Sequence, residues 1–173
     1  MSVGWAGAAT SVPASLGDNG RMTRAKSLRV YVPVLHRDLD EVLTGTREVT
    51  GFGPDRNARA LTGEALEEAE WFALDVAAGS IAGPAAQARS PRCVVACDAP
   101  GDLAATALVD GVEAVGPFAL TAAEVVSFHV DDPAVTDGLP EDPATAADVL
   151  AAEALLWFDA TELETVRELH AQN

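Results

Sequence analysis

The sequence predicts an α+β fold, a single domain with a mixed sheet of five to six short strands, one long helix packed on a face, and short capped helices. Segments rich in β-branched residues alternate with helical segments along the chain, which is the pattern of interleaved strands and helices. One stretch, Gly63–Ser80, has apolar residues at helical spacing. With 173 residues, 49% of them apolar, the chain is large enough for one core.

The compact domain is expected over residues 27–170, after a disordered N-terminal extension over residues 1–26. The extension combines Gly, Ala, Ser, Thr, Pro and Asn without a period of 2 or 3.6 residues, so it offers no apolar face for packing. Met22 lies six residues before the first predicted strand and is an alternative start of the chain.

Three strands and two helices are predicted in the first half of the domain. The strands are Leu28–Pro33, Glu48–Phe52 and Arg92–Asp98. The helices are Asp38–Leu43 and Gly63–Ser80. The long helix is expected to end at Ser80 because Gly79, Gly83 and Pro84 weaken its continuation.

On a helical wheel, the long helix has an apolar stripe that is expected to face the sheet. The stripe consists of Ala65, Leu66, Ala69, Phe72, Ala73 and Val76. Trp71 lies on the opposite, acidic side, where it either contacts a partner or packs in a second layer.

Three further strands, separated by short capped helices, are predicted in the second half. The strands are Val112–Val115, Val125–Val130 and Leu155–Phe158. The first helix is a single turn capped by Thr121 with Glu124, and the second is Asp142–Ala152. The last helix is capped by Asp159 with Glu162 and runs through Leu169. Trp157 is predicted to anchor the core, because its segment is apolar on both strand faces. The competing interpretation is an exposed aromatic residue that binds a partner.

Both cysteines, Cys93 and Cys97, fall on one predicted strand. Residues four apart on a strand are about 13 Å apart. A disulfide requires Cα atoms within about 7 Å, so this pair is expected to stay reduced. We interpret both as small core residues of a protein in a reducing compartment, and therefore expect a cytoplasmic location.

The chain is strongly acidic, with 27 Asp and Glu residues against 11 Lys and Arg, a net charge of −16. Residues 93–173 hold 16 of the acids and a single base, Arg167. This excess repels phosphate backbones, so no nucleic-acid partner is expected. The acidic C-terminal half is either a docking face for a protein partner or a solvated surface. No apolar run approaches the roughly 20 residues of a membrane span, so no membrane insertion is expected.

The candidate catalytic residues are His129, Asp131 and Asp132. On the strand Val125–Val130, His129 shares a face with Ser127, and Asp131 continues that face with Asp132 just beyond. A histidine and a carboxylate at a strand end could bind a metal or orient a general base. The competing interpretation is the polar, half-solvated face of an edge strand. No sequence motif for a metal site, a cofactor or a phosphate loop accompanies them, so neither a cofactor nor a metal is predicted.

Five short segments occur in a recognisable order. They are RVYVP at Arg29–Pro33, VVACD at Val94–Asp98, GPFALT at Gly116–Thr121, HVDD at His129–Asp132 and LLWF at Leu155–Phe158. Their order and spacing, over about residues 28–169, resemble an uncharacterised family of small actinobacterial proteins, a domain of unknown function. The chain departs from that pattern at Gly51–Arg59 and between Val135 and Ala152. The resemblance supplies no catalytic residue, because the family carries no established activity.

Two functional hypotheses follow from the sequence. The first is a non-enzymatic cytoplasmic protein that acts through protein contacts of its acidic C-terminal half. The second is a small metal- or acid/base-dependent enzyme that uses His129 and Asp131. A concave pocket around these two side chains would favour the enzyme, and a flat solvated face would not.

Overall fold

The computed structural model describes residues 27–170, which form one seven-stranded sheet with helices on both faces. The strands are β1 Leu28–Leu35, β2 Thr44–Pro54, β3 Arg92–Ala99, β4 Ala105–Val109, β5 Val112–Thr121, β6 Val125–Val130 and β7 Leu156–Asp159. The helices are α1 Leu39–Leu43, α2 Glu64–Ala88, α3 Pro133–Thr136, α4 Pro143–Ala152 and α5 Leu163–Glu168. The α+β class is confirmed. The predicted extension, residues 1–26, lies outside the described residues.

The sheet is antiparallel throughout, with the strand order β4-β5-β2-β1-β3-β6-β7. The predicted mixed sheet of five to six strands is therefore wrong in detail. The sequence β2-α2-β3 has the pattern of a parallel crossover unit, which suggested parallel pairing. In the structure β1 lies between β2 and β3, so the two strands joined by α2 run in the same direction without being neighbours.

Strand β4 is the strand that the sequence pattern missed. All five of its residues are exposed, so it has no alternation of buried and exposed positions that would reveal it. It forms a hairpin with β5 in which Val109 pairs with Val112 across Asp110 and Gly111. Gly111 has a φ of +85°, a conformation that favours glycine. The Asp-Gly pair was the available signal for this hairpin.

The main core lies between the sheet and helices α1 and α5. Fully buried side chains from the sheet on this face include Val30, Val32, Cys93, Val95, Val115, Leu120, Phe128 and Val130. Both cysteines are buried and free, as predicted. Burial is the main reason that the pKa of the Cys97 thiol is raised to about 12, so the thiol is protonated and unreactive at neutral pH.

Helix α2 covers the other face over β1, β2 and β3, and it continues eight residues beyond the predicted end at Ser80. The helix continues through Pro84 because Ala82, Ala85 and Ala86 pack against Ala146 and Leu150 of α4. These small side chains let the two helices approach closely, and this packing outweighs the poor local propensity. None of the helices within residues 27–170 is long and apolar enough to span a membrane.

The buried side of α2 is also rotated from the predicted stripe. Ala73 belongs to it as predicted and Val76 packs against it, but its other buried residues are Leu74, Ala77 and Ala78, and Phe72 is 46% exposed. Ala-rich packing brings α2 close to the centre of the sheet, where it contacts β1, β2 and β3.

The short capped helices follow the prediction closely. Thr121 and Glu124 form a capping box for a single turn, and Asp142 accepts a hydrogen bond from the Thr145 amide at 2.8 Å to open α4. Asp159 and Glu162 form a second capping box before α5. Caps are predictable from sequence because donor and acceptor lie within three residues of each other.

The prediction that Trp157 anchors the core is wrong, because its side chain is 58% exposed. Strand β7 is the last strand of the sheet and pairs only with β6. The apolar segment around Trp157 therefore has one half-buried face, where Phe158 packs against the main core, and one open face that carries the indole.

Candidate functional site

A groove runs between α2 and strands β6 and β7. It consists of two adjoining cavities of about 490 and 210 Å³, and both are lined by Trp71, Leu74 and His129. Trp157 closes the smaller cavity at the sheet edge. We call this site the tryptophan groove.

Strand pairing places the groove residues on one face. His129 of β6 is directly opposite Trp157 of β7, and side chains of opposed residues lie on the same side of a sheet. Ser127 is two residues before His129 and shares that side. Trp71 reaches the groove from α2, one turn before the buried Leu74.

The two indoles are the most exposed aromatic side chains of the described residues, at 62% for Trp71 and 58% for Trp157. Within residues 27–170 neither indole stacks on another aromatic ring. Their faces are therefore open to a ligand. Exposed large apolar side chains grouped in a concave site are typical of binding sites rather than of ordinary surface.

His129 forms the floor of the groove and is only 6% exposed. Its Nε2 is 3.2 Å from Ser127 Oγ, and its ring meets the edge of Tyr31 with 6.4 Å between ring centroids. Burial lowers the pKa of His129 to about 4, so the imidazole is neutral at physiological pH. A neutral imidazole is suited to hydrogen bonding, but its low pKa makes it a weak general base.

Protonation of His129 is expected to destabilise the fold as the pH falls from 6.5, its ordinary pKa, to about 4. Between pH 6.5 and pH 4, His129 binds a proton in the unfolded chain but not in the folded protein. The free energy that the neutral imidazole contributes to stability is therefore fully present above pH 6.5 and is lost as the pH falls. We expect wild type to lose about 2 kcal/mol more unfolding free energy than His129→Asn between pH 7 and pH 5.

Urea denaturation of both proteins at the two pH values measures this difference. His170, whose pKa is also lowered mainly by burial, is present in both proteins and cancels. Equal losses in wild type and variant would contradict a buried, neutral His129.

Asp131, the predicted catalytic partner of His129, is instead held by Arg92. The Arg92 guanidinium donates to Asp131 Oδ1 from two nitrogens at 2.7 and 3.0 Å, and the Arg92 amide donates to Oδ2 at 2.6 Å. Both side chains are 1% exposed. Arg92 also donates to the Glu153 carbonyl at 3.1 Å, so the pair joins the start of β3, the end of β6 and the segment after α4.

Sequence reasoning missed the role of Arg92. The available signal was an arginine at the first position of a strand that is otherwise apolar and buried, since a buried charge requires a partner. The sequence could not identify that partner, because Asp131 is 39 residues away.

Asp132, the third candidate residue, caps a helix. Its carboxylate accepts a hydrogen bond from the Ala134 amide at 2.8 Å and begins α3. The three candidates are thus in three different environments: His129 lies in the groove with Ser127, Asp131 is paired with Arg92, and Asp132 is at a helix start. Among the described residues, no three His, Cys, Asp or Glu side chains are grouped to hold a metal ion.

Carboxylates surround the groove. Glu67 and Glu70 line the smaller cavity, and Asp75 and Glu153 line the larger one. None of these four forms a salt bridge with a described residue. The groove also has two lining arginines, Arg29 and Arg92, which are in ion pairs with Asp98 and Asp131. It therefore combines open indole faces with an excess of carboxylates.

Comparison with known proteins identifies a family match. The model of a family of unknown function, DUF6912, matches residues 28–166. No curated protein and no solved structure matches the chain. The matched range contains every residue of the tryptophan groove.

Proposed function

The chain belongs to the family of unknown function DUF6912, and we propose that this protein is a non-enzymatic binding protein that docks a basic segment of a protein partner in the tryptophan groove. The observation that carries the proposal is the pair of open indoles, Trp71 and Trp157, on opposite walls of an acidic groove. One wall belongs to a helix and the other to a sheet edge, so both indoles are held on regular elements.

The exposure of the two indoles supports binding. A buried tryptophan would contribute to the free energy of folding. An exposed tryptophan leaves apolar surface in water, and a partner that covers this surface gains binding free energy. Tryptophan is also among the residues that contribute most to binding at protein interfaces. Two of them beside one groove favour an interface over a merely solvated surface.

The charge of the described residues supports a basic partner. Residues 27–170 carry 26 Asp and Glu against eight Arg, and five of those arginines are in ion pairs. Such a field attracts cations from a distance, and indole faces bind them at contact. The proposed docking site draws its acids from both halves of the chain, with Glu67, Glu70 and Asp75 on α2 and Glu153 after α4.

The proposal keeps the cytoplasm as the location. Two free, buried thiols are compatible with a reducing compartment, where disulfides are rare.

A short peptide of alternating Lys and Ala tests the docking proposal by isothermal titration calorimetry. We expect Trp71→Ala and Trp157→Ala each to weaken its binding by about tenfold or more. The matched control is Phe72→Ala, which removes an exposed aromatic ring (46% accessible) from α2 outside the groove. A peptide with Gln in place of Lys is expected to bind far more weakly.

Equal affinities for wild type and both tryptophan variants would overturn the proposal. A further arm compares Glu70→Gln with Glu68→Gln, because Glu68 is on the same helix but does not line the groove. Only Glu70→Gln should weaken the binding of the Lys/Ala peptide.

An acid/base enzyme remains the second candidate function, and one observation favours it. Ser127 Oγ and His129 Nε2 are 3.2 Å apart at the floor of a cavity, so Ser127 takes the place of the predicted Asp131 as the partner of the imidazole. The low pKa of His129, about 4, weakens this candidate. Covalent labelling by a fluorophosphonate that is lost in Ser127→Ala would support the enzyme, and no labelling of wild type would count against it.

A further inference from the structure

The smaller cavity of the tryptophan groove is bordered by four aromatic side chains. Tyr31 and His129 are buried and meet edge to face, while Trp71 and Trp157 are open. The four come from β1, β6, α2 and β7, so their arrangement is fixed by the packing of a helix on a sheet. Such a cavity presents ring faces or edges to its contents from several directions.

The cavity is small. Its volume of about 210 Å³ is below the range of roughly 300–1,000 Å³ that is typical of pockets for drug-sized ligands. A cavity of this size accommodates the end of one side chain or a small ion. The larger cavity beside it, about 490 Å³, leaves room for the rest of a docked segment.

The charge around the smaller cavity is negative. Glu67 and Glu70 line it together with one cation, Arg29, whose Nε donates to Asp98 at 3.0 Å. The carboxylates of Glu67, Glu70 and Asp98 therefore outnumber the single guanidinium of Arg29. Burial is the main cause that raises the pKa of Tyr31 to about 12, and the nearby Glu70 carboxylate is the second cause. Negative charge therefore lies close to the aromatic rings. An anion or a neutral apolar group would gain nothing from this charge.

The lining distinguishes between kinds of cation. A primary ammonium is strongly hydrated and needs three acceptors to replace its water. Besides the rim carboxylates and Arg29, this cavity is lined by four aromatic side chains, by Leu74 and Ala96, and by Ser127, whose hydroxyl lies 3.2 Å from His129 Nε2. An alkylated ammonium spreads its charge over methyl groups, which pack against ring faces and need no hydrogen-bond acceptor. Aromatic lining with negative charge at the rim matches the second kind.

We propose that the smaller cavity binds a tertiary or quaternary ammonium group, carried by a methylated lysine of the segment that docks in the groove. This inference rests on the proposed docking function and adds the chemistry of the residue that the partner inserts beside Trp157. The indoles contact the methyl groups, and Glu67 and Glu70 supply the countercharge.

Three versions of the Lys/Ala peptide test the inference by titration calorimetry. Their central residue is lysine, trimethyllysine, or a neutral isostere with a tert-butyl group in place of the trimethylammonium. We expect the trimethyllysine peptide to bind about tenfold tighter than either of the others. Trp157→Ala should abolish this preference, whereas Leu156→Ala, on the opposite face of the same strand, should keep it.

The outcomes separate this inference from the docking proposal. Equal binding of the lysine and trimethyllysine peptides, both weakened by Trp157→Ala, would overturn the ammonium site and leave docking intact. Binding of all three peptides that is insensitive to Trp71→Ala and Trp157→Ala would overturn both. Equal affinity for the neutral isostere would overturn the ammonium site in favour of an apolar pocket without charge selectivity. Free tetramethylammonium that binds as tightly as the trimethyllysine peptide would overturn the assignment to a partner's side chain in favour of a small-molecule ligand.

Discussion

Arg92→Ala is expected to lower the unfolding free energy by about 3–5 kcal/mol, because it leaves the buried Asp131 carboxylate without its countercharge. The pair is almost fully shielded from water, and the guanidinium makes two hydrogen bonds to one carboxylate oxygen. A loss of this size is a large fraction of the stability of an ordinary domain, roughly 5–15 kcal/mol. Urea denaturation followed by far-ultraviolet circular dichroism measures it.

The matched control is Arg29→Ala, which breaks an exposed ion pair with Asp98 between neighbouring strands of the same sheet. That change is expected to cost about 0–1 kcal/mol, because solvent screens the pair. The double variant Arg92→Met/Asp131→Leu should cost less than the sum of its single substitutions, since no charge remains buried. A loss below about 1 kcal/mol for Arg92→Ala would contradict a structural role for the pair.

Phe128→Ala is expected to destabilise the protein by about 3–5 kcal/mol, while Trp157→Ala costs little. Phe128 is 1% exposed and lies in the main core. Trp157 lies opposite His129, the residue after Phe128, and its indole is largely in solvent. Truncating the buried ring leaves a cavity in close-packed surroundings. Truncating the exposed ring removes contacts that are mostly with water.

Comparing the urea midpoints of the two variants under one set of conditions tests this ordering. The reverse order, with Trp157→Ala the more damaging change, would restore the role of core anchor that the sequence suggested. It would also remove the main support for the tryptophan groove.

Local signals in the sequence predicted the fold class, six of the seven strands and two capping boxes. Alternation of apolar residues identifies strands such as β1 and β6, and a capping box such as that of Thr121 has its partner, Glu124, three residues away. The extension of α2 past Pro84 and the strand order depend on contacts between segments far apart in sequence, which composition and periodicity do not encode. Strand β4 was missed for a different reason: all its residues are exposed, and its local hairpin signal, Asp110-Gly111, was not used.

The candidate site was predictable only in part. The sequence singled out His129 as a strand-end histidine and Trp71 as a possible partner contact, whereas Trp157 was assigned to the core, with an exposed binding residue as the alternative. Only the β6–β7 pairing shows that His129 and Trp157 share a face, and only the packing of α2 brings Trp71 beside them. Asp131 was assigned to the wrong partner, because its pairing with Arg92 joins residues that are 39 positions apart.

The most direct test of docking in the tryptophan groove is an NMR titration of the indole N–H signals with the Lys/Ala peptide. A Trp5→Phe background leaves two signals, from Trp71 and Trp157, and each is assigned by one further substitution. We expect both to shift as the peptide binds, while the backbone amides of β4, at the opposite edge of the sheet, stay unchanged. Saturable peptide binding without a shift of either indole signal would contradict the proposed site.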